Sequence, residues 1–179
     1  FGNKENDPER MGRVDRQLIQ KHKAVDNDLE PEVLKDSLKA EIDSWTFPLN
    51  FIDFEASTSA LPFYAGQKPY EKVVFQFSHH IYHEDGKIEH ANEYINVNAG
   101  VFPNFEFVRE LKMAVEQNTG TVFQFSPYEN STLNQIKVQL EQTTETDKAD
   151  LITFIKSLTT PPKSRDYRGE IWQPSRGMV

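Results

Sequence analysis

In the stretch PLNFIDFEAST, residues 48–58, an apolar run ends in two carboxylates, Asp53 and Glu55, one residue apart. Side chains alternate along an extended strand, so Leu49, Phe51, Asp53 and Glu55 share one face and Asn50, Ile52 and Phe54 the other. Because Leu49 and Phe51 are apolar, that face is expected to be buried and to turn acidic at its C-terminal end. Like charges at this spacing repel, and each is expensive to desolvate. A divalent cation bridging both would compensate. Functional groups in open α/β sheets also gather at the carboxyl ends of strands. The competing reading ends the strand at residue 52 and leaves both acids in a solvated loop, and a bare Asp-x-Glu is too common to decide between them.

A third acid strengthens the metal reading. In SPYENSTLNQI, Glu129 follows Ser126 by three residues, with Pro127 between them, which is the spacing of a capping box. Glu129 also lies on the helical stripe of Leu133, Ile136 and Leu140, so it is expected to face the sheet from the first turn of a helix. A helix N-terminus favours a carboxylate there. Capping and metal binding compete for the same group.

These acids need a scaffold, and the rest of the chain supplies the pattern for one. Residues 1–46 read as a helical N-terminal extension. Asp7-Pro8 opens a first helix that runs to about residue 22. VDNDLE is a polar linker. A second helix from Pro31 carries Leu34, Leu38, Ile42 and Trp45 on one stripe. From Phe47 the period changes. A strand through the acids is followed by the turn-rich, aromatic loop ASTSALPFYAGQKPY. KVVFQFSHHIYHEDGKIEHANEYINV reads as a β-hairpin with a two-residue turn at Asp85-Gly86. Pro103 then opens a helix with Phe105, Val108, Leu111 and Val115 in line. GTVFQFS is a short strand, and two helices follow. Leu151, Ile155 and Leu158 line the second of these, and Pro161-Pro162 stops it. The order predicts an α/β domain over 47–179 with a mixed sheet flanked by helices. Its first three strands are antiparallel, and the fourth, reached by a helical crossover, is parallel to a neighbour.

Composition narrows the functional classes. The chain has 179 residues, 28 acidic and 20 basic, with a net charge of -8. That balance counts against non-specific gripping of nucleic acid through phosphates. It leaves room for a nuclease, whose acidic site takes its positive charge from bound metal. Thirteen Phe argue against disorder, and the lack of Cys excludes disulfides and thiolate metal sites. A cytoplasmic, reducing setting fits that composition. No apolar run reaches the length of a membrane span, so no membrane partner is expected. Both ends, FGNKEND and PSRGMV, read as cuts within a longer protein with neighbouring domains. The locally basic stretch 161–179 reads as a solvated loop.

The arrangement of Asp-x-Glu on a first strand, a hairpin, a helix, a strand and an acid opening the next helix resembles the DEDD-type 3′–5′ exonucleases of the ribonuclease-H-like superfamily. PLNFIDFEAS, KPYEKVVFQFSHHI and FSPYENSTL more closely resemble a bacterial family known only as domain of unknown function 2779, over about residues 47–179. The resemblance implies that Asp53 and Glu55 match the first exonuclease motif and Glu129 the second, as catalytic residues and ligands of two Mg²⁺ or Mn²⁺ ions. It implies hydrolysis of phosphodiester bonds at a 3′ end of single-stranded DNA or RNA. The sequence departs from the pattern in three ways. Glu129 stands where Asp is usual, and Ala56 stands where Thr often follows. The fourth acid is expected on a later helix, so the C-terminal part of the fold is expected to be missing. Asp150 is the best substitute within the chain.

Four further residues are candidates for holding substrate. Gln76 and Ser78 share a strand face and could line a cleft beside the acids, or be ordinary strand polar residues. Tyr64 in the aromatic loop could stack on bases, with Phe63 and Tyr70. Tyr128 lies beside Glu129 in the motif. Across a hairpin turned at Asp85-Gly86, His79, His83 and His90 fall on one face and His80 on the other, which is a possible but weak zinc arrangement. The alternative function is a catalytically incomplete, nuclease-like scaffold serving as an interaction or nucleic-acid-binding module.

Overall fold

The computed structural model describes residues 13–31, 35–159 and 178. The chain divides into two compact units, residues 1–44 and 45–179. The first contains α1 (Arg13–Asp26) and α2 (Lys35–Asp43). The second contains, in chain order, β1 (Leu49–Thr58), β2 (Lys72–Tyr82), β3 (Ile88–Ile95), α3 (Asn104–Val115), β4 (Val122–Gln124), α4 (Pro127–Glu141) and α5 (Lys148–Leu158).

In the first unit, α1 runs past residue 22, the end expected from the sequence. It stops where Asn27 takes a left-handed conformation (φ 52°) and the Asp28 N–H returns to the Lys23 carbonyl at 2.8 Å. This is the six-to-one closure of a helix C-terminus, which Asn accommodates almost as readily as Gly. On α2, Leu38 and Ile42 lie one turn apart and remain half exposed. Asp7-Pro8, Leu34 and Pro161-Pro162 lie outside the described residues.

The second unit is a mixed α/β layer. Its sheet has the order β3-β2-β1-β4, with β1 antiparallel to β2, β2 antiparallel to β3, and β4 parallel to β1. The expected strand directions are therefore found. Among the described residues of this unit, α3, α4 and α5 pack on one face of the sheet. Ile52 and Phe54 from β1 and Phe77 from β2 meet Phe107 and Leu111 from α3 and Leu133 and Ile136 from α4 in a single core, which α5 extends through Leu151, Phe154 and Ile155. Phe107 packs edge-on against Phe54 and Phe77 at centroid distances of 4.9 and 5.6 Å. Arg109 on α3 adds a polar tie, donating through Nε and Nη2 to the two carboxylate oxygens of Asp147 at 2.7 and 2.9 Å.

The core face is not the one that alternation with Leu49 and Phe51 predicted. Asn50, Ile52 and Phe54 point into the core, whereas Phe51, Asp53 and Glu55 lie on the exposed face, with Phe51 at 44 % exposure. Buried Asn50 explains the misreading, because it is a polar residue at a core position. Its amide donates to Pro48 O and Asn118 Oδ1 at 3.1 and 2.9 Å and accepts from Asn118 Nδ2 at 3.0 Å. His79 Nε2 stands 3.0 Å from Asn50 Oδ1. With its polar atoms bonded in this way, the amide is tolerated in the interior.

The segment around Asn50 also fixes Gly120. A Cβ there would stand 1.7 Å from the carbonyl oxygen of Pro48, a backbone atom that cannot rotate aside. Gly120→Ala should therefore destabilise the unit by about 3 kcal/mol, at the upper end of the overpacking range. Chemical denaturation checks this. A loss below about 0.5 kcal/mol would mean that the 46–50 and 118–121 segments are free to separate.

The hairpin also departs from expectation. The turn holds three residues rather than two: Gly86 N–H bonds His83 O at 2.9 Å, His83 N–H bonds Lys87 O at 2.9 Å, and Gly86 sits at φ 88°. This is a tight turn followed by a left-handed residue, the usual three-residue solution. The extra residue shifts the register by one, so His90 pairs with His80 on the exposed face, ring centroids 4.6 Å apart. His79 is buried on the other face. The predicted grouping of His79, His83 and His90 is therefore not formed.

Candidate active site

β1 carries Asp53 and Glu55 in regular extended structure and continues to Thr58, so the acids do not lie in a loop. Across the antiparallel ladder, Asp53 faces Ser78 and Glu55 faces Gln76. Directly opposed residues share a face. The two polar residues chosen from β2 thus stand beside the two acids, one opposite each.

Immediately after Glu55 the ladder slips. Glu55 pairs with Gln76, but Ala56 pairs with Val74, leaving Phe75 as the extra residue of a bulge. Bulges bend a strand and re-aim its side chains. Here the alternation of β2 reverses, so Val74 enters the core and Lys72 turns toward α4. The Lys72 ammonium donates to Ser131 Oγ at 2.8 Å and Thr132 Oγ1 at 2.9 Å and lies 4.1 Å from the centroid of the Tyr128 ring. Its backbone is pinned as well, since Lys72 O accepts from Asn104 Nδ2 at 3.1 Å and Gln135 Nε2 at 3.0 Å.

Glu129 enters from the first turn of α4, on the same stripe as the buried Leu133, Ile136 and Leu140. It is itself only 2 % exposed. Ser126 caps the helix, accepting from Tyr128 N–H at 3.3 Å, and the nearby backbone N–H groups of Ser126 and Glu129 favour the charged form of the Glu129 carboxylate. One oxygen of this buried carboxylate, Oε2, is left without a hydrogen-bond partner.

Electrostatics connect these groups. Burial pushes the Glu129 carboxyl up, against the two backbone N–H groups. The Asp53 charge adds to the rise and Lys72 opposes it. Burial pushes the Tyr128 hydroxyl up, with Glu55 and Glu129 adding to it. Lys72 is pulled down by burial and held up by Glu129. Both strand acids are therefore within electrostatic reach of the start of α4. Among the described residues, no group of three or more His, Cys, Asp or Glu side chains is gathered closely enough to hold a metal ion, so Asp53, Glu55 and Glu129 do not form such a cluster here.

Beside Asp53 the open face forms a concavity of about 470 Å³ lined by Phe51, Asp53, Ser78, His80, Phe123 and Phe125, among others. Phe51 and Phe123 stack at 5.0 Å, and Phe125 is 96 % exposed. Two residues singled out from sequence lie elsewhere. Tyr64 packs edge-on against Phe102 at 5.4 Å and lines a separate hollow with Ser57, Phe63 and Phe75. Asp150 is on α5, where its carboxylate stands 3.5 Å from Lys112 Nζ, so it does not join the acids. Lys72 was not foreseen. The sequence signal was a Lys at the head of a strand in KPYEKVV, which is ordinary until the bulge is known.

No curated protein and no solved structure matches the chain. No described helix is long and apolar enough to cross a membrane. A family model does match, over residues 50–164, a span that begins within β1 and includes every one of the acids and the whole α3–α5 layer. The chain belongs to the family described as a domain of unknown function, DUF2779.

Proposed function

We propose that the second unit is a ribonuclease-H-like domain of the DEDD exonuclease type, which hydrolyses phosphodiester bonds at the 3′ end of single-stranded DNA or RNA in the cytoplasm. Asp53, Glu55 and Glu129 are its metal ligands. The observation that carries this reading is Glu129: a buried carboxylate with one unpartnered oxygen, within electrostatic reach of Asp53. Buried polar atoms are ordinarily satisfied, and one that is not calls for a ligand. The donors are all carboxylate oxygens, which suit hard cations such as Mg²⁺ or Mn²⁺ rather than thiophilic metals.

When bound, a pair of such ions supplies activation of the attacking water and neutralises charge on the leaving oxygen. The chain's own residues do the rest. Asp53 and Glu55 present carboxylates from a rigid strand, and Glu129 does so from a capped helix. Ser78 and Gln76 offer hydrogen bonds alongside. The Tyr128 hydroxyl, its pKa raised, stays protonated at neutral pH and can donate to a phosphate oxygen.

Titrating Mn²⁺ into the chain by calorimetry, and following degradation of a 3′-labelled single strand with and without EDTA, tests the reading. Saturable Mn²⁺ binding and EDTA-sensitive shortening from the 3′ end are expected. Absence of both would leave the alternative, a nuclease-like scaffold that binds other parts of a longer protein. The aromatic strip of exposed Phe51 and Phe125 with half-buried Phe123 favours that second reading.

A further inference from the structure

Two ionisable groups that feel one another's charge stand here with no ion pair between them. Glu129 Oε2 is buried and has no hydrogen-bond partner. The Lys72 ammonium is half-buried, and among the described residues no carboxylate lies within ion-pair distance of it; it is held by two neutral hydroxyls, Ser131 Oγ and Thr132 Oγ1, and by the face of Tyr128. Charges removed from water are normally paired. Lys72 and Glu129 favour one another's charged form without forming an ion pair, and the ammonium is anchored instead on the hydroxyls and the ring. A cation on the carboxylate together with a phosphate oxygen on the ammonium would pair both charges.

We propose that Lys72 is a substrate-binding residue that holds a phosphodiester of the nucleic-acid strand, with Ser131, Thr132 and Tyr128 orienting its ammonium. The inference rests on the metal-dependent reading of Asp53, Glu55 and Glu129. Three features of the fold support it. The Phe75 bulge, directly across from Glu55, is what turns Lys72 toward α4. Its backbone carbonyl is fixed by Asn104 and Gln135, so the head of β2 is rigid. The hydroxyls come from the turn of α4 that follows Glu129, so one helix positions both the acid and the cation. An ammonium is a point charge suited to a phosphate oxygen. In a chain of net charge -8, a fixed cation within electrostatic reach of Glu129 would favour the approach of an anionic strand.

The test compares the chain with Lys72→Met and Lys72→Arg. Binding of a fluorescent, phosphorothioate-protected oligothymidylate is followed by anisotropy in Mn²⁺ over a range of salt, and Mn²⁺ binding by calorimetry. Lys72→Met should weaken strand binding roughly tenfold and lower the salt slope by about 0.7, the value for one phosphate contact on a single strand. Lys72→Arg should recover most of the loss. Mn²⁺ binding should be unchanged or tighter in Lys72→Met, because a like charge has been removed. Strand affinity and slope equal to the unaltered chain would overturn the role of Lys72 alone, as would loss of Mn²⁺ binding together with thermal stability, which marks a structural lysine. Displacement of the strand by an equal concentration of inorganic phosphate would make the subsite one for free phosphate and overturn the assignment to a strand. If the unaltered chain binds neither Mn²⁺ nor the strand, the metal reading fails and takes this inference with it.

Discussion

Asp53→Ala should abolish EDTA-sensitive degradation of single strands while leaving the fold intact. Asp53 lies on the exposed face of β1, outside the core. Its loss should change unfolding free energy by no more than about 0.5 kcal/mol, as at an ordinary surface site. Activity should fall on the order of a thousandfold or more, the scale on which losing one preorganised charge-stabilising group lowers kcat. That corresponds to about 4 kcal/mol of transition-state stabilisation. The two measurements together are diagnostic, because a residue that merely packs would move both. Loss of the Asp53 charge also removes one of the influences that raise the Glu129 carboxyl, so Glu129 should ionise more readily in the variant. Initial rates on a 3′-labelled strand, beside thermal unfolding monitored by far-ultraviolet circular dichroism, provide both numbers. Degradation at the original rate would remove Asp53 from the chemistry and the nuclease reading with it.

The elements that position this site were legible to different degrees. The stripe Glu129, Leu133, Ile136 and Leu140 could be read because helical period and burial coincide along α4. The strand directions followed from connection lengths alone. Which face of β1 is buried was not legible. Asn50 occupies a core position and Phe51 an open one, so hydrophobicity pointed to the wrong side. The error moves the electrostatic argument rather than removing it. Asp53 and Glu55 are exposed and need no compensation, and the desolvated acid is Glu129. The histidines were misplaced by a single turn residue, because with period-two side chains a one-residue shift exchanges faces. Lys72 stayed hidden for the same reason, since its orientation depends on the bulge at Phe75. Bulges and turn lengths are non-local outcomes of pairing, and no window of sequence reports them.

Glu129→Gln should move stability and activity in opposite directions. The carboxyl is held above its ordinary range chiefly by burial, so the folded chain keeps this proton to higher pH than the unfolded chain does. Between the two values the folded state binds more protons, and stability therefore falls as pH rises through that window. Above it, the full penalty of a buried, partly unsatisfied carboxylate is present. Gln carries no charge to desolvate, its carbonyl oxygen can still face the Ser126 N–H, and the cost of burying its amide N–H groups offsets part of the gain. At neutral pH and without metal, the variant should be more stable by about 1 kcal/mol, the lower range for an unsatisfied buried group. For a unit of this size that is a rise of roughly 2–4 °C in Tm. In acid, below the ordinary glutamate range, the difference should vanish. Mn²⁺ binding and strand degradation should fall together, by on the order of a hundredfold or more. Thermal unfolding in EDTA at neutral and acid pH, beside Mn²⁺ calorimetry, decides between the roles of this residue. If Glu129 serves only as a cap, Gln should leave metal binding where it was. If it is a ligand, the chain tolerates an unfavourable buried charge because a cation offsets it, which is how strain persists at functional sites.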